Sequence, residues 1–304
     1  MVHEPKAPLF QSYRREIAGG GFVQRDLLMH PQFSVTLVRG SRIVLDYGLQ
    51  AELVQYIPRL RELRRSQLSI LLAGRGYFGI GDRFVDLSPG DIVSSDQSKL
   101  EPEGYTGSPF EVLIIAWQDD LFFGPRVVGD TRAGRLVAAD VAALRAHTAT
   151  EMSAGSHRWL AGLLERLRAL GLPAASDVSC GPGDPSTPLS RVCRALGDAL
   201  CRLDSQPSLL EIAEACALTE RHVHRMLQEL ERSYGYPFSG WRDLVHDTRL
   251  AWATALLSVP SVSVVEAAAV AGYRSPVALV HAFSSRCGAT PGKVARRLRE
   301  RWDP

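Results

Sequence analysis

Hydrophobic residues between positions 32 and 117 occur in short runs that glycine, proline and aspartate interrupt. The runs are rich in β-branched and aromatic residues, as in SVTLV at 34–38 and FEVLIIAW at 110–117. Such runs, bounded by turn residues, are typical of the strands of an all-β sandwich or barrel. We therefore predict a β-barrel here, with a hairpin that turns at Gly81–Asp82 and with Gly19–Gly21 as a flexible lead-in.

The hydrophobic period becomes helical after Trp117. Residues 133–148 and 159–170 each carry apolar residues at spacings of three and four, which predicts two amphipathic helices. The stripe on the second helix is too apolar for an isolated helix, so it packs either on the barrel or against a second chain. Residues 173–188 (PAASDVSCGPGDPSTP) are rich in proline, glycine and serine and predict a linker.

The pattern near the C-terminus predicts a helix-turn-helix. A short helix over Val262–Ala271 ends at Gly272, because glycine accepts the positive φ that terminates a helix. Ser275 then caps a second helix that has Pro276 in its first turn. The spacing turns Leu279, Ala282 and Phe283 inward, and it leaves on the open side Val277, Val280, His281 and Ser284. Such a second helix fits the major groove of DNA.

The same unit is predicted about fifty-six residues upstream. Ser208–Cys216 forms its first helix, and Thr219 caps a second helix with a buried stripe of Val223, Met226, Leu227 and Leu230. The opposite face of that helix carries Arg221, His224, Arg225 and Gln228. Phe238–Ser258 predicts one connecting helix, whose twenty-one residues would span about 31 Å. Because one turn of duplex is about 34 Å, we expect both open faces to enter successive major-groove segments.

Residues 189–304 resemble the tandem helix-turn-helix domain of AraC/XylS-type transcription regulators. The residues that carry the resemblance are Arg249, Ala255, Leu256, Leu257, Val265, Ala268, Gly272, Tyr273, Ser275, Phe283, Gly288, Thr290 and Pro291. The family's usual residues are replaced at Cys287, at Ala217 and at Val294–Ala295.

By position, the resemblance implies base contacts in both units. In the first unit they fall on Arg221, His224 and Arg225, and in the second on Pro276, Val277, Val280 and His281. Gln228, Arg274 and Ser275 complete the predicted DNA-binding set. Because the open face of the last helix is apolar, we expect it to contact phosphates and thymine methyls more than hydrogen-bonding base edges.

The resemblance also implies the architecture and the partners. It implies an α+β fold, with an N-terminal cupin-like β-barrel and helical dimerisation segment followed by a C-terminal all-α double helix-turn-helix domain. The sensor and dimerisation domain would occupy 1–172, the linker 173–188 and the DNA-binding domain 189–304. The expected function is effector-responsive transcription regulation, as an activator in preference to a repressor, through sequence-specific binding to double-stranded promoter or operator DNA. The other expected partners are a small-molecule effector, RNA polymerase and a second copy of the chain, which would contact the 159–170 stripe.

Composition changes this picture little. The formal net charge is +2, which an ordinary solvated surface also gives, so charge alone does not establish DNA binding. The five cysteines form no C-x-x-C pair, which predicts free thiols in a reducing cytoplasm. No apolar run reaches the roughly eighteen residues of a membrane span, and the N-terminus has no signal-peptide core, so we expect a cytoplasmic protein with no membrane contact.

The sequence carries no recognisable catalytic set. The histidines of the first half, at 3, 30, 147 and 157, lie outside the predicted barrel strands, so the metal-ligand set of a catalytic cupin is missing. No G-x-S-x-G motif or phosphate-binding glycine loop occurs either. We therefore predict a protein that is not an enzyme and needs no cofactor and no metal. Two other classes stay open, a β-barrel enzyme with a helical interaction module and an adaptor that does not bind DNA.

Four arginines lie close together in the first half, namely Arg59, Arg61, Arg64 and Arg65. Arginine binds phosphate through two parallel hydrogen bonds and stacks on purine rings. Arg61-x-x-x-Arg65 resembles the arginine pair of PilZ domains, and Asp86-x-Ser88-x-Gly90 resembles their second motif with one residue missing. This favours cyclic di-GMP as an effector bound by the four arginines, Asp86 and Ser88. Another small anion, a sugar, or a solvated arginine run without a ligand are the open alternatives.

Overall fold

The computed structural model describes residues 8–17, 20–47, 65–80, 83–96, 103–118, 132–149, 157–171, 184, 186–236, 238 and 240–302. Within these residues the N-terminal part is a nine-stranded antiparallel sheet and the C-terminal part is helical. The chain is therefore α+β, with an antiparallel sheet in its N-terminal half and an all-α C-terminal half, as predicted.

The strands of the sheet differ greatly in length. They are β1 (Leu9–Ile17), β2 (Gly21–His30), β3 (Phe33–Ser41), β4 (Ile43–Asp46), β5 (Arg65–Ile80), β6 (Arg83–Leu87), β7 (Asp91–Asp96), β8 (Glu103–Gln118) and β9 (Arg132–Arg135). The hydrogen-bonded order is β1-β2-β3-β8-β5-β7-β9, with β4 paired to β8 and β6 paired to β5. Because β5 and β8 have 16 residues each, different parts of each strand pair with different neighbours.

The sequence pattern predicts two separate strands at 68–72 (LSILL) and 76–80 (GYFGI), but both runs are parts of the single strand β5. The pairing register between β5 and β8 shifts between Leu71 and Arg75. Gly74 lies in this irregular stretch with a φ of +89°, and a Cβ there would lie 2.6 Å from the Thr106 carbonyl oxygen. Glycine therefore permits the bend in β5 and does not end the strand.

Two strands, β1 and β2, precede the predicted start of the barrel. The prediction of a flexible lead-in at Gly19–Gly21 is wrong, because Gly20 lies in the turn of the β1–β2 hairpin and Gly21 begins β2. Gly20 has a φ of +79° and donates its N–H to the Ile17 carbonyl oxygen at 3.3 Å. His30, expected outside the strands, is the last residue of β2, and burial lowers its pKa to about 4.

Helices α1 (Ala138–Ala149) and α2 (His157–Ala169) cover one face of the sheet. Alternate residues of the strands point to this face, including Leu113, Ile115 and Trp117 on β8. Helix α1 begins five residues later than predicted because residues 132–135 pair with β7 as β9. Leu136 and Val137 therefore precede the helix.

The apolar stripe of α2 lies in the core of the chain itself. The stripe residues Trp159, Leu160, Leu163, Leu164 and Leu167 are all buried and pack with α1 and with the sheet. The expectation that this stripe contacts a second chain is wrong, because the sheet face already removes it from solvent.

Seven helices follow in the described C-terminal part. They are α3 (Pro188–Cys201), α4 (Leu209–Ala215), α5 (Glu220–Tyr234), α6 (Trp241–Leu257), α7 (Val264–Val270), α8 (Pro276–Cys287) and α9 (Pro291–Trp302), with a 3-10 turn at Leu203–Ser205. Pro188, the last residue of the expected linker, is the first residue of α3, which Thr187 caps. Cys193 and Cys216 are buried free thiols, and burial raises the pKa of each.

The two halves pack against each other through one continuous core. Helix α3 lies on β1 so closely that a Cβ added to Gly197 would be 2.5 Å from the Ser12 carbonyl oxygen. The other face of the sheet, with Val112 and Ile114 of β8, belongs to the same buried cluster as α3 to α9.

We predict opposite effects for two substitutions at matching turns. Gly272→Ala should lower the free energy of unfolding by at least about 2 kcal/mol, since its φ is +83° and the new Cβ would lie 2.1 Å from the Leu203 carbonyl oxygen. Ala217 has a φ of +50°, so Ala217→Gly should be neutral or stabilise by up to about 1 kcal/mol. Urea denaturation measures both changes. Equal stabilities of wild type and Gly272→Ala would contradict the turn geometry.

Candidate DNA-binding interface

Each of the two helix-turn-helix units begins with a short capped helix. The Ser208 hydroxyl accepts the Glu211 N–H at 3.1 Å before α4, and the Ser263 hydroxyl accepts the Glu266 N–H at 3.2 Å before α7. The Glu266 carboxylate also accepts the Ser263 N–H at 2.8 Å, and these hydrogen bonds lower the pKa of Glu266. These caps fix where each helix begins. Both helices begin and end within two residues of the predicted positions.

The helical spacing of Val262, Val265, Ala268 and Ala269 predicts an inward face for α7 that the structure shows only in part. Val265 and Ala269 are exposed, whereas Ala267, Ala268 and Ala271 are buried. The small side chains on the inward face let α8 cross α7 closely. Small residues therefore serve the predicted purpose, although two of the predicted positions, Val265 and Ala269, are exposed.

The turns of the two units share one backbone hydrogen bond. The Leu218 N–H donates to the Ala213 carbonyl oxygen at 2.8 Å, and the Tyr273 N–H donates to the Ala268 carbonyl oxygen at 2.8 Å. The residue before each donor, Ala217 or Gly272, has a positive φ. The chain thus makes the same turn twice, with alanine in the first unit and, in the second, with glycine, the residue that a positive φ favours.

The second helices of the units, α5 and α8, are held in the same register. The Thr219 hydroxyl accepts the His222 N–H at 3.2 Å, and the Ser275 hydroxyl accepts the Ala278 N–H at 3.2 Å. At matching positions each helix then buries two apolar side chains completely, Val223 and Leu227 in α5 and Leu279 and Phe283 in α8. Counting from the caps pairs Arg221 with Val277, His224 with Val280, Arg225 with His281 and Gln228 with Ser284.

The outward face of α5 consists of Arg221, His224, Arg225 and Gln228. The first three side chains are exposed and Gln228 is half-buried, with its Nε2 atom 3.3 Å from His224 Nε2. Among the described residues, neither Arg221 nor Arg225 has an ion-pair partner within 4.0 Å. Both guanidinium groups are therefore free to donate hydrogen bonds to a ligand.

The outward face of α8 consists of Val277, Val280, His281 and Ser284, all of them exposed as predicted. Ser275 is occupied as the helix cap, with its hydroxyl accepting a backbone N–H. Arg274 is exposed, but its Nε atom donates to Gln206 Oε1 at 3.1 Å. This predicted DNA contact therefore already has a partner in the stretch between α3 and α4.

Helix α6 connects the units without a break. It runs from Trp241 to Leu257, and its 17 residues span about 26 Å, less than the predicted 31 Å. It starts late because Gly240 has an extended backbone and serves as its N-cap. It ends at Ser258, whose hydroxyl donates to the Ala255 carbonyl oxygen at 2.6 Å and accepts the Val44 N–H of the sheet at 2.9 Å.

Two helix-turn-helix units on one connecting helix are the arrangement that the sequence predicted. The chain resembles AraC/XylS-type transcription regulators. The order of the helices between residues 189 and 302, their caps and their turns agree with that resemblance.

Solved structures of transcription regulators are similar to this chain. The DNA-binding domain of AdpA, the global transcriptional factor, in complex with a target DNA is 29% identical over 38% of this chain and 96% of that chain, with a TM-score of 0.32. A DNA-binding transcriptional dual regulator from Escherichia coli K-12 is 22% identical over 38% of this chain and 94% of that chain, with a TM-score of 0.29. Wild-type ToxT from Vibrio cholerae strain SCE256, bound to an unsaturated fatty acid, is 9% identical over 97% of each chain, with a TM-score of 0.34. No family model and no curated protein matches the chain.

Arg249 joins the two helix-turn-helix units from the middle of α6. Its Nη2 atom donates to the Leu203 carbonyl oxygen at 3.2 Å, and burial lowers its pKa. Leu203 is also the residue against which Gly272 packs. The turn of the second unit, the 3-10 turn after α3 and α6 therefore meet at one backbone carbonyl.

Arg15 of β1 reaches from the N-terminal half into the second helix-turn-helix unit. Its buried guanidinium donates to the carbonyl oxygen of Val270, the last residue of α7, and to the Cys201 carbonyl oxygen at 3.4 Å. Burial lowers the pKa of Arg15, and the nearby Asp204 carboxylate, at 3.3 Å, raises it. This arginine links β1, the end of α3 and the end of α7.

Asp46 of β4 holds the C-terminal helix against the sheet. The buried carboxylate accepts the Tyr77 hydroxyl at 2.5 Å and the Trp302 Nε1–H at 3.2 Å, and Arg301 Nη1 lies 3.6 Å away. The Arg301 guanidinium also lies over the ring of Phe84, 4.4 Å from its centroid. Neither Asp46 nor Arg15 was singled out from the sequence, because their partners in the helical half lie more than 180 residues away in the chain.

The predicted ligand residues of the sensor half are only partly described. Arg59, Arg61 and Arg64 lie outside the described residues, and Arg65 is the first residue of β5. Asp86 on β6 and Ser88 in the following turn are exposed.

The turn after β6 has a structural role. The Ser88 N–H donates to Asp91 Oδ2 at 2.8 Å, and the Asp91 carboxylate is buried. Gly90 has a φ of +94°, and a Cβ there would lie 2.6 Å from the Leu136 carbonyl oxygen. The Ser-Pro-Gly-Asp sequence thus fixes the β6–β7 turn whether or not a ligand binds nearby.

A buried polar cluster in the sheet was missed from the sequence. Glu103 Oε1 accepts Gln67 Nε2–H at 2.9 Å, and Glu103 Oε2 accepts the hydroxyls of Tyr105 at 3.0 Å and Ser69 at 3.2 Å. All four residues are buried. Polar residues at alternate positions, 67 and 69 on β5 and 103 and 105 on β8, are the signal that would have indicated an inward polar patch.

The described part of the chain holds no group of three His, Cys, Asp or Glu residues placed to bind a metal ion. No helix within the described ranges is both long enough and apolar enough to span a membrane.

We predict that Asp46→Asn loosens α9 from the sheet. Asparagine keeps the volume of the side chain but removes the charge that faces Arg301. Because only one of its two terminal atoms accepts hydrogen bonds, it also cannot accept from Tyr77 and Trp302 through separate oxygens. The contact between α9 and the sheet should therefore weaken by about 2 kcal/mol. Hydrogen exchange should then speed up in α9 and not in α5. Glu300→Gln is the control, because Glu300 pairs with Arg296 only on the solvent side at 3.9 Å. Unchanged exchange in α9 of Asp46→Asn would contradict the clamp.

Proposed function

We propose that the chain is an effector-responsive transcription regulator that binds double-stranded DNA in a sequence-specific manner. The observation that carries this proposal is the pair of outward faces on α5 and α8, held in matching registers and joined by the unbroken helix α6. A rigid connection of about 26 Å suits two helices that enter the major groove about one turn of duplex apart. Neither a catalytic barrel nor an adaptor requires this repeated geometry.

The first unit supplies the hydrogen-bonding contacts in this proposal. Arg225 donates two parallel hydrogen bonds to O6 and N7 of a guanine. Arg221 and His224 contact the neighbouring base edges, and Gln228 adds a contact at the far end of the same face. The exposed, unpaired guanidinium groups of Arg221 and Arg225 support these roles among the described residues.

The regulatory part of the proposal assigns residues 1–172 to sensing, 173–188 to a linker and 189–304 to DNA binding. An effector shifts the packing between the halves only through a difference in its affinity for the two arrangements. The contacts of Arg15 with Val270 and of Asp46 with Trp302 are where such a shift reaches the DNA-binding helices. Activation of transcription, a contact with RNA polymerase and a homodimer belong to the same proposal. The dimer would use a surface other than the buried stripe of α2.

Cyclic di-GMP is the effector we propose for the arginine run. The motif Arg61-x-x-x-Arg65 supports it, because two arginine forks close in sequence match a phosphate and a purine face. Asp86 and Ser88 are exposed and free to reach a ligand with their side chains. Another small anion is the alternative ligand at the same arginines.

Arg225→Ala tests the base contact. The substitution should cost about 1–3 kcal/mol on a duplex with the preferred base pair and much less when that base pair is changed. Fluorescence anisotropy with duplexes selected from a random library gives both affinities. Arg232→Ala is the control, since Arg232 is 71% exposed at the other end of α5. An equal loss on every sequence would instead make Arg225 a phosphate contact.

Isothermal calorimetry with cyclic di-GMP tests the effector. The wild-type chain should bind the dinucleotide, and Arg61→Ala and Arg65→Ala should each abolish the heat of binding because each removes one guanidinium fork. Binding by the wild type with unchanged heats in both variants would show that Arg61 and Arg65 are not part of the binding site. Binding of inorganic phosphate or of a mononucleotide with equal affinity would favour the small-anion alternative.

A further inference from the structure

The outward face of α8 is apolar where the corresponding face of α5 is charged. Val277 is 62% exposed and Val280 is 37% exposed, and both belong to the few large hydrophobic side chains that the described residues expose. The two valines are three positions apart on one helix, so their side chains are neighbours. Together they form a small apolar surface at the N-terminal end of α8.

This apolar surface occupies the reading positions of its unit. Thr219 and Ser275 cap the two helices in the same way, and the fully buried pairs Val223–Leu227 and Leu279–Phe283 fix the same rotation of each helix. Val277 therefore stands at the position of Arg221, and Val280 at the position of His224. A contact that α5 makes with a polar side chain is made by α8 with methyl groups.

The surroundings of the valines favour DNA as the partner that covers them. Helix α8 contains no acidic residue, so it does not repel phosphates. Exposed basic side chains flank α8 in the chain, namely Arg274 before it and Lys293, Arg296 and Arg297 on α9 after it. An apolar helix face between basic stretches of the chain suits a major groove that presents methyl groups between two rows of phosphates.

We propose that Val277 and Val280 recognise the C5-methyl groups of thymines, so that the half-site under α8 is selected for thymine while α5 reads its half-site by hydrogen bonds. This inference rests on the proposed function and adds the chemistry that the second unit reads. Thymine is the base that offers a methyl group in the major groove, and apolar side chains contact it there. One buried methyl contributes about 0.8 kcal/mol, which corresponds to about a fourfold change in affinity.

Replacement of thymine by deoxyuridine isolates the methyl group, because the base pair and its hydrogen bonds are unchanged. Full-length protein is titrated with a duplex selected from a random library, and with duplexes in which each thymine in turn is deoxyuridine. We expect one or two thymines of the second half-site to show a loss of about fourfold each. Val277→Ala and Val280→Ala should each bind the parent duplex more weakly and lose the sensitivity to one of these methyl groups.

Val137→Ala is the matched control, because Val137 is 64% exposed in the sensor half, before α1. The Val137→Ala protein should lose as much affinity as the wild type when a thymine is replaced by deoxyuridine. Alanine is a good helix former and both valines of α8 are exposed, so the two variants should fold. Circular dichroism confirms that they do.

The outcomes separate this inference from the function on which it rests. Tight duplex binding that no deoxyuridine weakens in the second half-site would overturn the thymine readout and leave the regulator intact. Methyl sensitivity that persists in both valine variants would overturn the assignment to Val277 and Val280. Absence of any salt-dependent duplex binding would overturn the function and the inference together.

Discussion

The structure depends on a constraint that sets the rotation of two helices. A hydroxyl cap and two fully buried apolar side chains fix α5 through Thr219, Val223 and Leu227, and the same three positions fix α8 through Ser275, Leu279 and Phe283. Once these positions are set, the side chains that face outward follow from the 3.6-residue period. Substitutions on the outward faces therefore change the chemistry of those faces without disturbing the fold. This is why α5 can carry arginines on its outward face while α8 carries valines at two of the matching positions.

The second feature is that the C-terminal helices and the sheet are not independent bodies. Arg15 reaches the end of α7, Ser258 at the end of α6 binds the backbone of β4, and Asp46 holds α9. These polar contacts lie at the border of a shared apolar core. Because buried polar groups are costly when they lose their partners, these contacts stabilise the observed arrangement of the halves. An effector that alters the sheet near β4 or β1 would act on these same groups.

Local chemistry was predictable from the sequence, and long-range packing was not. Ser275, Pro276, Gly272 and the inward Leu279 and Phe283 follow from capping rules and helical period, so the start and the inward face of α8 were predicted correctly. By contrast, β1 (LFQSYRREI) has no regular alternation of polar and apolar residues, and only its packing under Gly197 of α3 shows which of its side chains are buried. The stripe of α2 shows the same limit, because periodicity reveals that an apolar face needs a partner and not whether the partner is the chain's own sheet. The clamp at Asp46 joins β4 to α9 and has no local signal at all.

Hydroxyl-radical footprinting of full-length protein on a selected duplex tests the central claim most directly, namely that one continuous helix holds two reading helices on the same side of DNA. Because α6 is unbroken, the protected segments should be two, centred about one helical turn (roughly 10 base pairs) apart, and they should lie on one face of the duplex. Insertion of half a helical turn between the two segments should abolish the second one. A single protected segment, or two segments on opposite faces of the duplex, would contradict the account.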